Sequence, residues 1–205
     1  MPILPPSSKR HPSGRVPTAG YDAFRFGAGA LSLTLTLSSP LQAADPTVRS
    51  SDVQVERKGD AFSVEVQMHA PVPPEQAWAV LTDFERMAEF IPNLAQSQVL
   101  SRSEQKLRVR QKGTARFGPF STTFDSTRDI SLLPPNEIRA TGIGGNIRRM
   151  ESVMRLEADG NGTRLHYKAE VVPDFWLPPL LGPSFVRHET AEQFSAMINE
   201  MLRRH

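Results

Sequence analysis

Ala70-Pro-Val-Pro-Pro-Glu-Gln-Ala-Trp-Ala-Val-Leu-Thr-Asp-Phe84, continued by Met87-Ala-Glu-Phe-Ile-Pro92, is the stretch on which the fold turns. Pro71, Pro73 and Pro74 stop whatever strand precedes them. Proline is tolerated in a first helical turn because its missing N–H had no partner there. The spacing of Ala77, Val80, Leu81 and Phe84 predicts a helix over 75–84 with one apolar face. A shorter helix is expected over 85–90, stopped at Ile91-Pro92.

Upstream, Phe62, Val64, Val66 and Met68 alternate with Ser63, Glu65 and Gln67, the period-two pattern of a half-buried strand. Val53–Arg57 is its expected hairpin partner, joined at Lys58-Gly-Asp60. Downstream, residues 94–173 read as strands and turns. Leu107, Val109, Ala115 and Phe117 alternate with Arg108, Arg110 and Arg116, and Phe120, Thr122 and Phe124 alternate with Ser121, Thr123 and Asp125. Leu165, Tyr167, Ala169 and Val171 alternate with Arg164, His166, Lys168 and Glu170. Turns are expected at Pro134-Pro-Asn136, at Gly142-Ile-Gly-Gly-Asn146 between strands over 137–143 and 147–157, and at Asp159-Gly-Asn-Gly162, whose Gly and Asn accept positive φ. Inward strand positions read as mostly apolar, with acidic residues outward. A Pro-rich apolar loop, 173–183, leads into a long helix over 184–204. There Thr190, Phe194, Met197, Ile198 and Met201 form the buried stripe and Arg187, Glu192 and Glu200 lie off it.

The 205 residues include no Cys, which excludes disulfides, thiolate zinc and a cysteine nucleophile. The net charge of +2 belongs to the first 43 residues, where Lys9, Arg10, Arg15 and Arg25 face only Asp22. The remaining 20 basic and 21 acidic side chains argue against a nucleic-acid binder. Basic residues, then the apolar run Phe26–Leu37, then Pro40 and the small pair Ala43-Ala44, follow the order of a secretory signal. The expectation is cleavage after Ala43, a short linker over 44–51, one domain over 52–204, and a periplasmic or secreted product. The absence of an Arg-Arg pair from the first 43 residues points to the general secretory route.

The order strand pair, two helices, antiparallel strands, long helix resembles the START-like (SRPBCC) superfamily. The likeness is to its polyketide cyclase/dehydrase branch, which includes coenzyme Q-binding START-domain proteins. The residues that carry it are Trp78, Leu81-Thr-Asp-Phe84 and Phe90-Ile-Pro92, and the likeness spans about 52–204. It implies an α+β helix-grip fold: a curved antiparallel β-sheet wrapped around a long C-terminal helix, with two short helices after the first strand. It also implies an apolar cavity between sheet and helix that takes a quinone, lipid or similar molecule. On sequence alone, apolar stripes are ordinary core. The resemblance implies that several of Phe117, Phe124, Met150, Met154, Tyr167, Phe185, Phe194 and Ile198 line that cavity. Tyr167 reads either as an inward hydrogen-bond donor or as a core tyrosine bonded to backbone.

The loop residues Phe175, Trp176, Leu177, Leu180 and Leu181 read either as a gate over the cavity mouth or as packing against the sheet end. Phe90, Ile91 and Leu94 are the expected opposite lip. Arg108, Arg110, Lys112, Arg116, Arg164 and Lys168 form an outward basic set, either a solvated face or an attraction for anionic membrane, worth roughly 1 kcal/mol each near such a surface. His188-Glu-Thr-Ala-Glu192 lacks the second His of the zinc-protease motif, so no metal and no cofactor is expected. The leading expectation is an exported, non-catalytic binder. An enzyme of cyclase or dehydratase type would need an inward acid or base, for which His69 is the least poor candidate. A protein- or ribosome-binding module of the same fold is the third reading, and the leader counts against it.

Overall fold

The computed structural model describes residues 48–174 and 181–204. The segment read as a signal, and the loop residues Phe175, Trp176, Leu177 and Leu180, lie outside the described residues. Eight strands form one antiparallel sheet: β1 (Val53–Lys58), β2 (Ala61–Ala70), β3 (Leu94–Arg102), β4 (Lys106–Phe117), β5 (Phe120–Leu133), β6 (Glu137–Gly145), β7 (Ile147–Asp159) and β8 (Gly162–Pro173). The spatial order is β1-β2-β8-β7-β6-β5-β4-β3. Among the described residues three α-helices accompany the sheet: α1 (Pro74–Leu81), α2 (Met87–Phe90) and α3 (Gly182–Arg203). This is the helix-grip architecture, a curved open sheet closing on α3.

The alternating patterns translate directly into faces. On β2, Phe62, Val64, Val66 and Met68 are buried while Ser63, Gln67 and His69 are exposed. Val64 lies opposite Val55 on one side and Ala169 on the other, so three strands contribute to one apolar layer. The core then runs from this layer through Val72, Ala77 and Val80 to Ile198 and Met201 of α3. A smaller cluster of Phe62, Ala115 and Phe185 packs with Phe117, Phe120 and Phe124.

Several boundaries differ from the sequence reading. Helix α1 ends at Leu81 because the Thr82 hydroxyl donates to the Trp78 carbonyl at 2.8 Å and the backbone leaves the helix there. Phe84–Arg86 is a single 3-10 turn, and α2 is only one turn long. The turn expected over 142–146 shrinks to its last residues, since β6 runs on to Gly145. Asn146 pins it: its Oδ1 accepts from the Asp125 N–H and its Nδ2 donates to the Thr123 carbonyl, both at 2.8 Å. Gly145 has φ +100 and no room for a Cβ, which would lie 1.9 Å from the Asp125 carbonyl oxygen. Ahead of the sheet, Val48 is buried and exchanges two hydrogen bonds with Ser195 of α3.

Helix α3 is bolted down along its second half. Gln76 donates to the Met201 carbonyl at 2.6 Å, and Arg204, just past the helix, pairs with Asp83 at 2.8 Å. Glu200 is buried rather than facing solvent as its position off the apolar stripe predicts. It is covered by Arg203 and Arg204, each bonded to it at 2.6 Å.

Candidate ligand cavity

Between the concave face of the sheet and the first half of α3 the packing leaves two adjoining chambers, of about 150 and about 200 Å3. The inner one is walled by side chains from α1, α2 and the strands, including Leu81, Met87, Ile138 and Met154, with Phe194 and Met197 above. The outer one lies toward the start of α3, among Phe62, Ala115, Met150 and Phe185. Gln111, Phe124, Arg128, Tyr167, Thr190 and Gln193 border both and form a mostly polar waist between them.

The eight expected lining residues divide into four groups. Phe124 and Tyr167 touch both chambers, Met154 and Phe194 the inner, and Met150 and Phe185 the outer. Phe117 and Ile198 border neither. Phe117 stacks obliquely on His188, 5.3 Å between ring centroids, and Ile198 is packed core with 1% of its surface accessible. Of the expected lip, Ile91 and Leu94 are inner-chamber wall. Phe90 instead faces the outer side of α3, where the Arg204 guanidinium sits 5.7 Å from its ring centre. Leu181 is exposed.

The expectation of mostly apolar inward faces fails at the waist. Arg128 pairs across the sheet with Val109, and Ser126 with Gln111, all four on the concave side. Arg128 is deep in the protein but keeps some accessible surface because it borders the chambers. Its Nη2 donates to Gln111 Oε1, and its buried Nε has no partner. Burial pushes its pKa down, partly opposed by the nearby Tyr167. A guanidinium still holds its proton at neutral pH. The Gln111 amide is held with its oxygen toward Arg128, since its Nε2 donates to Ser97 Oγ at 3.0 Å and Ser97 donates in turn to the Phe84 carbonyl. Tyr167 packs edge-on against Phe194, ring centroids 4.9 Å apart, and its phenol bonds Ser152. Burial raises the Tyr167 pKa, opposed by Arg128 and by the hydrogen bond from Ser152, and the phenol stays neutral.

Arg128 and Gln111 were legible. Carrying the β5 alternation of Phe120, Thr122 and Phe124 two steps further puts Ser126 and then Arg128 inside, and the β4 alternation of Leu107 and Val109 puts Gln111 inside. His69, by contrast, is exposed on the convex face and meets no chamber.

At the rim of the outer chamber, Glu189 is buried and accepts from the Arg116 N–H at 3.0 Å. Asn93 Nδ2 donates to both Glu189 and Glu192, at 3.0 and 2.9 Å. Burial is the main cause of the raised Glu189 pKa, with hydrogen bonds from Arg116 and Asn93 opposing it. His188, Glu189 and Glu192 bring potential ligand atoms within 4.8 Å of one another, with the Asn93 amide placed across the two carboxylates. On the convex face, Arg108 pairs with Asp129, Arg110 and Lys112 with Asp125, Arg164 with Asp159 and Lys168 with Glu65. Most of the outward basic set is therefore matched by acids on neighbouring strands.

No curated protein matches the chain. The family described as polyketide cyclase/dehydrase and lipid transport matches residues 70–197. Among solved structures, the ZhuI aromatase/cyclase from Streptomyces sp. R1128 superposes with a TM-score of 0.61 at 19% identity, over 70% of this chain and 95% of that one. A STAR-related lipid transfer protein from Xanthomonas axonopodis gives 0.60 at 12% identity, over 73% and 98%. A START superfamily protein from Mycobacterium smegmatis gives 0.57 at 13%, over 70% and 99%. At such identities the superpositions speak for the fold, and the family match speaks for descent: the chain belongs to the polyketide cyclase/dehydrase and lipid-transport family.

Proposed function

We propose that this protein is an exported, non-catalytic binder of a hydrophobic molecule, a quinone, lipid or similar, held between the sheet and α3. In this reading residues 1–43 are a cleaved signal and 44–51 a short lead-in, already docked on α3 at Val48, to the binding domain over 52–204, working in the periplasm or outside the cell. The observation that carries the reading is the pair of adjoining chambers, the inner walled largely by Leu, Ile, Met and Phe side chains and the outer by Val, Ala and Phe mixed with polar groups. Burying apolar ligand surface there is worth roughly 25 cal/mol per Å2. The loop that holds Phe175, Trp176, Leu177, Leu180 and Leu181 precedes α3 directly, and we assign it the role of gate. Transient contact with an anionic membrane would rest on that loop more than on the convex face, whose cations are mostly paired.

Native mass spectrometry of the protein purified from its own host, followed by lipid extraction, is the direct test. Co-purification of a hydrophobic compound at near one per chain is expected. An empty protein that also ignores a panel of quinones, phospholipids and fatty acids would refute the reading. The waist favours one other reading: Tyr167 is a neutral proton donor inside the cavity, as a cyclase or dehydratase acting on a polyketide-like chain would require. Conversion of the bound compound, lost in Tyr167→Phe, would decide for it.

A further inference from the structure

Arg128 is a cation in the interior with no acid to answer it. Among the described residues, no carboxylate lies within ion-pairing distance of its guanidinium. Its sequence neighbours Asp125 and Asp129 point the other way and are taken by Arg110 and Arg108 on the convex face. The buried acid at the outer rim, Glu189, is held by the Arg116 N–H and Asn93. Of the five N–H donors of a guanidinium, Arg128 uses one among the described residues, toward the neutral Gln111. Removing a charge from water without a partner is costly, and interiors normally pair such groups. Here the charge instead borders both chambers.

We infer that Arg128 is the receptor for the carboxylate of an amphiphilic acid, held at the waist with its apolar chain in the flanking chambers. The inference rests on the binding function proposed above and narrows its ligand class. Several features select a monoanion. A carboxylate accepts two parallel N–H bonds from one guanidinium, the geometry for which arginine is suited. It neutralises one charge with one charge. A phosphate monoester would bring a second negative charge with no second cation beside it, and would face the Gln111 oxygen and the Glu189 carboxyl. A neutral quinone carbonyl would accept a hydrogen bond but leave the charge unanswered. The Tyr167 phenol and the Thr190 hydroxyl, both at the waist, supply neutral donors for the second carboxylate oxygen.

The test uses lipid-stripped protein with dodecanoic acid and methyl dodecanoate, which differ in charge at one end and little in apolar surface. Isothermal titration at pH 7.5 should show the wild type preferring the acid by about tenfold or more, the range for hydrogen bonds to a charged partner. In Arg128→Met the acid-to-ester ratio should fall to about one, and Arg128→Lys should lie between because it lacks the fork. Acid labelled with 13C at the carboxyl provides a reading on the wild type alone. Its bound carboxyl, facing Arg128, Tyr167, Gln111 and the more distant Glu189, should titrate at a lower pH than free in solution. If Arg128→Met does not fold, the wild-type ratio and this titration decide. Equal binding of acid and ester by the wild type overturns the inference and leaves the cavity reading standing. Binding of neither, with no binding across the wider panel, overturns both.

Discussion

Met154 on β7 and Met201 on α3 carry the same side chain in different surroundings. Met201 has no accessible surface and borders neither chamber, while Met154 forms part of the inner-chamber wall. Truncating each to Ala removes the same three heavy atoms, so the transfer cost is common and the difference isolates the void left behind. At Met201 that void is new. One on the order of 70 Å3 adds about 1.7 kcal/mol at roughly 24 cal/mol per Å3. At Met154 the removed atoms merge with about 150 Å3 that is already open. Within the range of about 2–5 kcal/mol for such truncations, Met201→Ala should cost about 3–4 kcal/mol and Met154→Ala about 1–2 kcal/mol less. Backbone propensity works against this difference, because Ala favours the helix at 201 and disfavours the strand at 154. A measured gap is thus a lower bound on the cavity effect. Urea unfolding of lipid-stripped protein is the assay, since a retained ligand would add its own stabilisation. Equal costs at the two sites would mean that the inner chamber is packed and the cavity account is wrong.

Gly113→Ala should be severe, about 3 kcal/mol or loss of folding, because its Cβ would meet the Asn93 carbonyl oxygen at 2.0 Å and the Phe124 ring at 2.5 Å. Chemical denaturation checks it, and near-wild-type stability would show that the strand can move away from Asn93. Glu200, held at a pKa of about 2 chiefly by its bond with Arg203, contributes stability that is complete above about pH 4.5 and disappears as the pH falls toward 2. It is sheltered by flexible arginines more than by depth, so Glu200→Gln should cost only about 1–2 kcal/mol at pH 7. That difference from wild type should shrink between pH 4.5 and 2, and a pH-independent gap would argue against the ion pair. N-terminal sequencing of the protein from its host should begin near Ala44, whereas intact Met1 in the soluble cytosol would contradict export.

Local patterns carried most of the architecture. Alternation on β2, β4 and β8, the proline-led start of α1 and the long apolar stripe of α3 each depend on neighbours within a few residues, so they can be read along the chain. The same alternation already contained Arg128 and Gln111, and reading it as an apolar rule alone hid them. Other features depend on distance. The Asn93 amide meets Glu189 and Glu192 across 96 and 99 residues, and no spacing signals that contact. Glu200 looked solvent-facing from its place on the helix and became buried only through two arginines that follow it. Phe117 and Ile198 have the composition of cavity residues. Which inward side chains meet space and which meet other atoms is set by the curvature of the sheet, which alternation does not encode.

The strand order has a consequence for how the chain folds. From β3 to β8 each strand lies beside its neighbour in sequence, so this meander can grow by successive hairpins with short loops to close. The β1–β2 hairpin is made first during synthesis yet pairs only with β8, where Glu65 meets His166 across 101 residues. Closing so large a loop carries the highest entropic cost in the sheet and places that pairing late. Helix α3, which roofs both chambers, is synthesised later still. Until it docks, the Met, Leu and Phe side chains of the concave face are open to water and to other chains, so the same surface that suits a ligand is the one by which an unfinished molecule would aggregate.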